Sequence, residues 1–174
     1  DSSAVFFARL SHPFSLVLHR AMKNSDNLSA EAILYNTAVK ESGKKYLSRE
    51  DGVKVIQRII SELGFNPKDY NIVDGCGVSL YNYISPELLI AYLKFAHSQN
   101  HVFKELYPAL PIAGVDGTLS GRMKEGKAYK NVHAKTGSVT GVSSLAGYAT
   151  ASNGHLIAFS IINQNVMQGA KARA

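Results

Sequence analysis

The sequence lacks several features that would assign it to particular classes of protein. It contains a single cysteine, Cys76, which excludes an internal disulfide and fits an oxidising or a reducing compartment. No stretch approaches the roughly 20 apolar residues needed to span a bilayer. The opening residues, Asp1-Ser2-Ser3, have neither the basic start nor the apolar run of a signal peptide. If residue 1 is not the natural start, that last absence says nothing about export.

The size and composition are those of one globular domain. The 174 residues are enough to bury a core, and the apolar content of 45% is ordinary. The formal charge is +6, but the basic residues are scattered and no nucleic-acid motif accompanies them. We therefore expect a single domain over residues 1–174, with no nucleic-acid partner. Attraction to an acidic polymer such as cell-wall material is compatible with the charge.

The hydrophobic pattern changes along the chain from a helical period to alternation. It predicts helices over residues 13–22, 27–40, 49–63 and 86–97, and strands over 70–73, 132–135, 142–149 and 156–163. Ser48 and Asp51 form a capping-box variant ahead of the third helix. Ser152-Asn153-Gly154 is a hairpin turn signal between the last two strands. Helices first and an antiparallel meander last predict an α+β layered domain.

Two tripeptides stand out against this background. Ser25-Asp26-Asn27 opens a predicted helix, where short polar side chains commonly cap free N–H groups. Lys135-Thr136-Gly137 lies on a predicted strand, and alone it would be an ordinary lysine before a turn. In this order they match the second and third elements of the S-x-x-K, S-D-N, K-T-G set found in serine acyl-transfer enzymes. Their order and their helix and strand context favour an active site over two unrelated surface features.

The residue types of the second tripeptide suit substrate binding at a strand edge. Lys135 can hold an ammonium beside a cleft, where it binds a carboxylate and assists proton transfer from a neighbouring hydroxyl. Gly137 leaves room for a substrate that lies along the strand. Ser138 offers a hydroxyl for a carboxylate and a backbone N–H for an oxyanion.

Further blocks in a fixed order make the chain resemble a known family. It resembles the C-terminal portion of class C low-molecular-mass penicillin-binding proteins, which are D-alanyl-D-alanine carboxypeptidases/endopeptidases. These blocks are Met22–Asn27 with Ala30-Glu31, Asp74–Ser79, Leu110–Gly114, Asp116–Leu119 with Arg122-Met123, Ala134–Ser138 and Gly141–Gly147.

The resemblance implies a fold, an activity and a set of partners. The fold is β-lactamase/transpeptidase-like, an antiparallel sheet packed with helices, here as a partial domain lacking its N-terminal part. The activity is serine-type cleavage of peptidoglycan stem peptides through an acyl-enzyme, with acylation by β-lactam antibiotics and no metal or cofactor. The location is periplasmic or extracytoplasmic, with a signal peptide expected upstream and peripheral membrane or wall association possible.

The resemblance also implies roles for individual residues. Ser25 would relay a proton toward the leaving amine, and Asn27 would hydrogen-bond the substrate amide. Lys135 would anchor and polarise the substrate. The neighbouring Thr136, Gly137 and Ser138 would bind the terminal carboxylate, and the Ser138 N–H would complete an oxyanion hole.

The nucleophile element is the missing part of the set. No S-x-x-K precedes Ser25, so we expect that element upstream of residue 1 and expect residues 1–174 alone to be inactive. An S-x-x-K does occur at Ser42-Gly43-Lys44-Lys45, but it follows the S-D-N element. Its glycine and its charges predict an exposed turn, so we reject it as the nucleophile.

Three residues in one block depart from the family pattern. Cys76 stands where serine is usual and Val78 where leucine is usual, and we expect both to be packing changes. Leu80 stands where many relatives have arginine, which leaves the preference for the substrate side chain open.

Some readings of the sequence remain open. A β-lactamase of the same superfamily is one alternative, although no E-x-x-L-N pattern lies between the two tripeptides. A catalytically inactive wall-binding domain is the other. Among single residues, His97 and His101 have i, i+4 spacing but are expected to be solvated or capping. We expect His133 to be packed rather than to line the cleft, and Arg122 either to reach a substrate carboxylate or to form a structural ion pair.

Overall fold

A computed structural model describes residues 5, 7, 8, 10–43 and 47–166 of the chain, with the side chains of Ser42 and Val166 left out. In this part of the chain, helices come first and an antiparallel meander comes last, as predicted. The helices are α1 (Phe14–Lys23), α2 (Asn27–Ser42), α3 (Arg49–Glu62), α4 (Pro86–Ser98) and α5 (Asn100–Ala109). The strands are β1 (His133–Val139), β2 (Gly141–Thr150) and β3 (Leu156–Val166). Short 3₁₀ turns lie at Pro67–Asp69, Gly117–Leu119 and Gly126–Ala128.

The three strands form one sheet in the order β1-β2-β3, with both pairs antiparallel. Directly paired residues share a face of a sheet. Lys135 pairs with Ala146 and His133 pairs with Tyr148, so Lys135 lies on the face that carries Tyr148. The Tyr148 hydroxyl donates to the Leu93 carbonyl of α4 at 2.7 Å. Helix α4 therefore packs on the same face that presents Lys135.

The helix starts follow from the polar residues that precede them. The Asp26 carboxylate accepts from the Ser29 N–H at 2.8 Å and caps α2. Ser48 and Asp51 form the predicted capping box at α3. Ser85 accepts from the Leu88 N–H at 3.2 Å ahead of α4. Each cap satisfies N–H groups that have no partner within the helix.

Two sequence-based predictions of secondary structure were wrong. The predicted strand over residues 70–73 is only an isolated bridge between Asn71 and Tyr83. Its continuation fails because the Val73 N–H donates to the Asn82 side chain instead of to a partner strand. The predicted helices also omit α5, which begins at Asn100 after α4 has ended at Ser98.

The helix boundary at Gln99 separates the two histidines of the i, i+4 pair. Gln99 has φ −100° and ψ 93°, an extended conformation that ends α4 and precedes α5. His97 therefore belongs to α4 and His101 to α5, and their spacing does not place them on one helix face. The His97 ring meets the edge of Phe103 with 4.9 Å between ring centroids.

The core lies between the sheet and the helices. Its fully buried side chains include Ile60, Leu88, Leu110, Leu119 and Tyr148. They come from α3, α4, the segment after α5 and β2, so the site described next rests on packed elements. Among the described residues, no helix combines the length and the apolar character needed to cross a membrane.

Candidate active site

A cleft of about 400 Å³ is lined by β1 and the neighbouring parts of β2 and β3, by the start of α2 and by the segment of residues 76–84. All six residues that the sequence singled out line it. They are Ser25, Asn27, Lys135, Thr136, Gly137 and Ser138. The structure thus brings together two tripeptides that start 110 positions apart.

The centre of this arrangement is the contact between Lys135 and Ser25. The Lys135 Nζ lies 2.7 Å from the Ser25 Oγ and donates at 2.7 Å to the Thr136 carbonyl. Burial lowers the pKa of Lys135, because a low-dielectric surrounding disfavours the charged ammonium. Two fixed acceptors on a partly desolvated lysine hold its head group in one place.

Ser25 has an unusual backbone. Its φ is 55°, in the left-handed region, and it stands between the end of α1 and the Asp26 cap of α2. A residue other than glycine pays roughly 1–2 kcal/mol to adopt this conformation. Such backbone strain concentrates at functional sites, where it fixes the direction of a side chain. Here it allows the hydroxyl to meet Lys135 while the next residue starts a helix.

The middle residue of the first tripeptide has a structural role. Asp26 does not line the cleft; it caps α2 and lies 3.5 Å from the Arg20 Nε. Hydrogen bonds from the Ser29 hydroxyl and N–H lower the pKa of this carboxyl. The tripeptide therefore serves both purposes that the sequence allowed: Asp26 caps the helix, and Ser25 and Asn27 line the cleft.

A second hydroxyl pair ties β1 to the segment before it. The Thr136 Oγ1 lies 2.8 Å from the Thr118 Oγ1. Thr118 belongs to the 3₁₀ turn Gly117–Leu119, which follows Asp116. Thr118 belongs to a block that resembles the family, but no motif rule assigns it a role, so its sequence position does not mark it as part of the site.

The Thr118 turn is held by a charge pair. The Lys23 Nζ lies 2.6 Å from the Asp116 Oδ2 and also donates to the Leu110 carbonyl at 2.6 Å. The other oxygen of Asp116 accepts from the Ile112 N–H at 2.8 Å. Because Lys23 stands two residues before Ser25, this pair connects both tripeptides to one support.

The far wall of the cleft is a loop that its own side chains fix. The Asp74 carboxylate accepts from the Gly77 N–H at 2.6 Å, the Ser79 N–H at 2.7 Å and the Asn82 Nδ2 at 2.9 Å. Burial acts to raise the pKa of Asp74, but these hydrogen bonds together outweigh it and the pKa is lowered. The residues from 74 to 83 therefore keep one backbone shape.

Glu31 fastens this loop to α2. Its Oε1 accepts from the Gly75 N–H at 2.9 Å and from the Cys76 N–H at 3.0 Å. Burial raises the pKa of the Cys76 thiol, which favours the unreactive protonated form. Ligand atoms of Glu31, Asp74 and Cys76 lie within 4.8 Å of one another. Three of the four carboxylate oxygens already accept hydrogen bonds from the loop, so this geometry serves the fold.

Other candidates lie away from the cleft. His133 stacks on Tyr107 with 4.3 Å between ring centroids, and burial, aided by Lys23, lowers its pKa. Neither His133 nor Arg122 is among the described residues that line the cleft. Helix α2 ends at Ser42, and Gly43 has φ 63°. The rest of the S-x-x-K at Ser42-Gly43-Lys44-Lys45, namely Lys44, Lys45 and the Ser42 side chain, lies outside the described residues.

Comparison with known proteins identifies the family to which the chain belongs. The model of the D-Ala-D-Ala carboxypeptidase 3 (S13) family matches residues 1–174, so the chain belongs to this family. The resemblance to low-molecular-mass penicillin-binding proteins is thereby confirmed.

The chain is similar to D-alanyl-D-alanine carboxypeptidase DacB of Haemophilus influenzae, with 35% identity over 152 residues, 86% of this chain and 31% of the relative. The crystal structure of penicillin binding protein 4 from the same organism superimposes with a TM-score of 0.79 at 32% identity. That match covers 89% of this chain and 34% of the other. The same protein complexed with a β-lactam gives 0.75 at 31% identity, over 91% of this chain and 37% of the other.

The predicted fold class is confirmed as well. The TLA-3 extended-spectrum β-lactamase superimposes with a TM-score of 0.64 at 19% identity, over 94% of this chain and 60% of the other. At that identity the likeness shows the fold alone. The chain spans about a third of the length of the DacB relative and of the penicillin binding protein 4 structure.

Proposed function

We propose that the whole protein is a serine-type D-Ala-D-Ala carboxypeptidase/endopeptidase that acts on peptidoglycan stem peptides and is acylated by β-lactams. The observation that carries the proposal is the 2.7 Å contact between Lys135 Nζ and Ser25 Oγ in a cleft that β1 lines. The contact places an ammonium and a hydroxyl together where a peptide can lie along β1.

The cationic end of the cleft suits a terminal carboxylate. The Lys135 ammonium supplies charge, and the hydroxyls of Thr136 and Ser138 supply hydrogen bonds beside it. A Cβ at position 137 would meet the Ser144 hydroxyl of β2, so a glycine there leaves room in the cleft beside β1. A peptide that ends in a free carboxylate is therefore held by its last residue against β1.

Acyl transfer requires a nucleophile, which we place in a segment outside residues 1–174, since no S-x-x-K precedes Ser25. Its serine oxygen attacks the carbonyl of the scissile amide, and the Ser138 N–H stabilises the oxyanion. As the amide C–N bond breaks, Ser25, polarised by Lys135, relays the proton released by the attacking serine to the leaving amine of D-alanine, while Asn27 holds the substrate amide. Water then hydrolyses the serine ester and releases the shortened peptide.

The relatives support this proposal by their names. The DacB relative is named a D-alanyl-D-alanine carboxypeptidase, and the structure of penicillin binding protein 4 contains a β-lactam. Peptidoglycan lies outside the cytoplasmic membrane, so we propose a periplasmic or extracytoplasmic location for the whole protein. We further propose that it needs no metal or cofactor and that residues 1–174 alone are inactive.

The experiment is D-alanine release from a synthetic stem peptide ending in D-Ala-D-Ala, measured with the whole protein and with its Lys135→Met variant. We expect release by the first and a loss of about 10²-fold or more in the second, because a positioned acid–base group contributes 10²–10⁴-fold. If the folded protein neither releases D-alanine nor is labelled by penicillin, the remaining alternative is a catalytically inactive wall-binding domain. Rapid turnover of penicillin without D-alanine release would indicate a β-lactamase.

A further inference from the structure

The hydroxyl of Thr136 has a partner that lies outside the cleft. Its Oγ1 is 2.8 Å from the Oγ1 of Thr118, and both residues are partly buried. Thr136 lines the cleft, whereas Thr118 is not among the described residues that line it. Thr118 therefore acts on a bound substrate only through Thr136.

The position of Thr118 is fixed by its two neighbours in the 3₁₀ turn. Leu119 is fully buried, and its carbonyl accepts from the Gly114 N–H at 3.0 Å. On the other side, Gly117 packs closely on the end of α1, where a Cβ at this position would lie 2.6 Å from the Lys23 carbonyl oxygen. Because both neighbours are held, the direction in which Thr118 presents its hydroxyl is fixed as well.

A carboxylate beside Thr136 would set the direction of the bond between the two hydroxyls. Each hydroxyl carries one hydrogen, so without a substrate either threonine can donate to the other. A carboxylate only accepts, so Thr136 must use its hydrogen for the carboxylate. The oxygen of Thr136 then remains as an acceptor, and the Thr118 hydroxyl is placed to donate to it. Hydrogen bonds that follow one another in this way strengthen each other.

We propose that Thr118 is a positioning residue for carboxylate recognition, which donates to Thr136 and so directs the hydrogen of Thr136 at the terminal carboxylate of the substrate. This inference rests on the proposed function, which places that carboxylate beside Lys135, Thr136 and Ser138. The Lys135 ammonium attracts an anion from any direction, whereas the chain from Thr118 through Thr136 requires an acceptor at one point. Loss of the Thr118 hydroxyl should therefore weaken the preference for a carboxylate over an uncharged group in its place.

The test compares acylation of the whole protein by benzylpenicillin and by its methyl ester, in which the carboxylate has lost its charge. We expect a higher second-order rate constant for benzylpenicillin. Thr118→Val should reduce this preference about tenfold, which corresponds to the loss of one hydrogen bond in a chain that ends on a charged group. Thr118→Ser keeps the hydroxyl and should restore most of the preference. Ser120→Ala is the matched control, because it removes an exposed hydroxyl at the end of the same turn and should leave the preference unchanged.

Thermal unfolding of each variant shows whether it folds. If valine at position 118 prevents folding, Thr118→Ala removes the same hydroxyl and carries the same expectation. A role of Thr118 in folding alone would slow acylation by the two compounds equally, so an equal loss would overturn the inference. An unchanged preference in Thr118→Val, or a preference as low in Thr118→Ser as in Thr118→Val, would overturn it too.

The unsubstituted protein separates this inference from the proposed function. Equal rate constants for benzylpenicillin and its methyl ester would overturn the role of Thr118 and leave the proposed function intact, because acylation still occurs. The absence of acylation by benzylpenicillin in the folded protein would overturn the proposed function, and this inference with it. A preference that falls in Thr118→Val and returns in Thr118→Ser supports both.

Discussion

The Nζ of Lys135 and the Oγ of Ser25 lie 2.7 Å apart, although the two residues belong to different layers of the domain. Ser25 precedes α2, and Lys135 lies on β1. The contact forms because the Lys23–Asp116 pair holds the end of α1 against the segment that leads to β1. The proposed proton relay therefore depends on support from residues outside both tripeptides.

Ser25→Gly should separate stability from activity. Because Ser25 has φ 55°, glycine relieves backbone strain, and we expect the free energy of unfolding of the whole protein to rise by about 1 kcal/mol. Loss of the hydroxyl should lower penicillin acylation by about 10²-fold or more. Ser25→Ala is the control, with the same loss of acylation and no gain in stability. Denaturant unfolding and acylation kinetics measure the two effects.

The pH dependence of substrate binding should report the titration of Lys135. Its pKa lies below the ordinary 10.5 because of burial, so binding of the terminal carboxylate should weaken at a pH below 10.5. Between the lowered pKa and 10.5 the unfolded chain holds a proton that the folded chain lacks. Stability from this group therefore rises with pH in that window and is lost as pH falls through the folded pKa.

Lys135→Arg supplies the control for this profile, because a guanidinium stays charged throughout the accessible range. In this variant the loss of carboxylate binding at alkaline pH should move to a pH above the accessible range, even if the overall rate of acylation is lower. If the arginine variant loses binding at the same alkaline pH as the unsubstituted protein, the titrating group is not Lys135.

Asp116→Asn tests the support of the Thr118 turn. It leaves the Lys23 ammonium, whose side chain is only 16% exposed, without its carboxylate at 2.6 Å. We expect a loss of about 1–3 kcal/mol in unfolding free energy. We also expect slower acylation, because Thr118 no longer holds Thr136.

An exposed ion pair provides the comparison for that variant. Glu62 lies 3.4 Å from the Arg58 Nε, and both side chains are more than half exposed. Glu62→Gln should change the unfolding free energy by less than about 1 kcal/mol and leave acylation unchanged. A similar loss in the two variants would show that Asp116 has no special supporting role.

Gly147→Ala should damage the sheet beneath the site. A Cβ at this position would overlap the His133 carbonyl and come within 2.5 Å of the Ala134 Cα, so β1 and β2 must separate. We expect a loss of about 2–3 kcal/mol and a reduced acylation rate. Gly121→Ala is the matched control, since nothing lies within 4 Å of its added methyl group. Thermal unfolding measures the difference in stability between the Gly147→Ala and Gly121→Ala variants.

Local chemistry made much of the fold predictable. The caps at Asp26, Ser48 and Ser85 act on neighbouring N–H groups, so their sequence signals are sufficient. The last two strands, β2 and β3, are joined by a short turn at the predicted Ser152-Asn153-Gly154 signal. The error at residues 70–73 arose because the Asn82 side chain takes a backbone donor from Val73, a contact that no periodicity reports.

The site was predictable in part for the same reason. Motif order identified Ser25, Asn27 and Lys135–Ser138 among the residues that line the cleft, and their roles are proposals. Lys23, Thr118 and Glu31 were not identified as supports, because their contacts join segments far apart in the chain. The exposure of Leu80 beside the cleft depends in turn on the shape that Asp74 imposes on its loop.

The most direct test of the central claim is the intact mass of the whole protein after incubation with benzylpenicillin. The account predicts one covalent adduct, formed rapidly in the unsubstituted protein and at least about 10²-fold more slowly in Ser25→Ala and Lys135→Met. A folded protein that gains no adduct, or one that is acylated equally fast in all three forms, would contradict it.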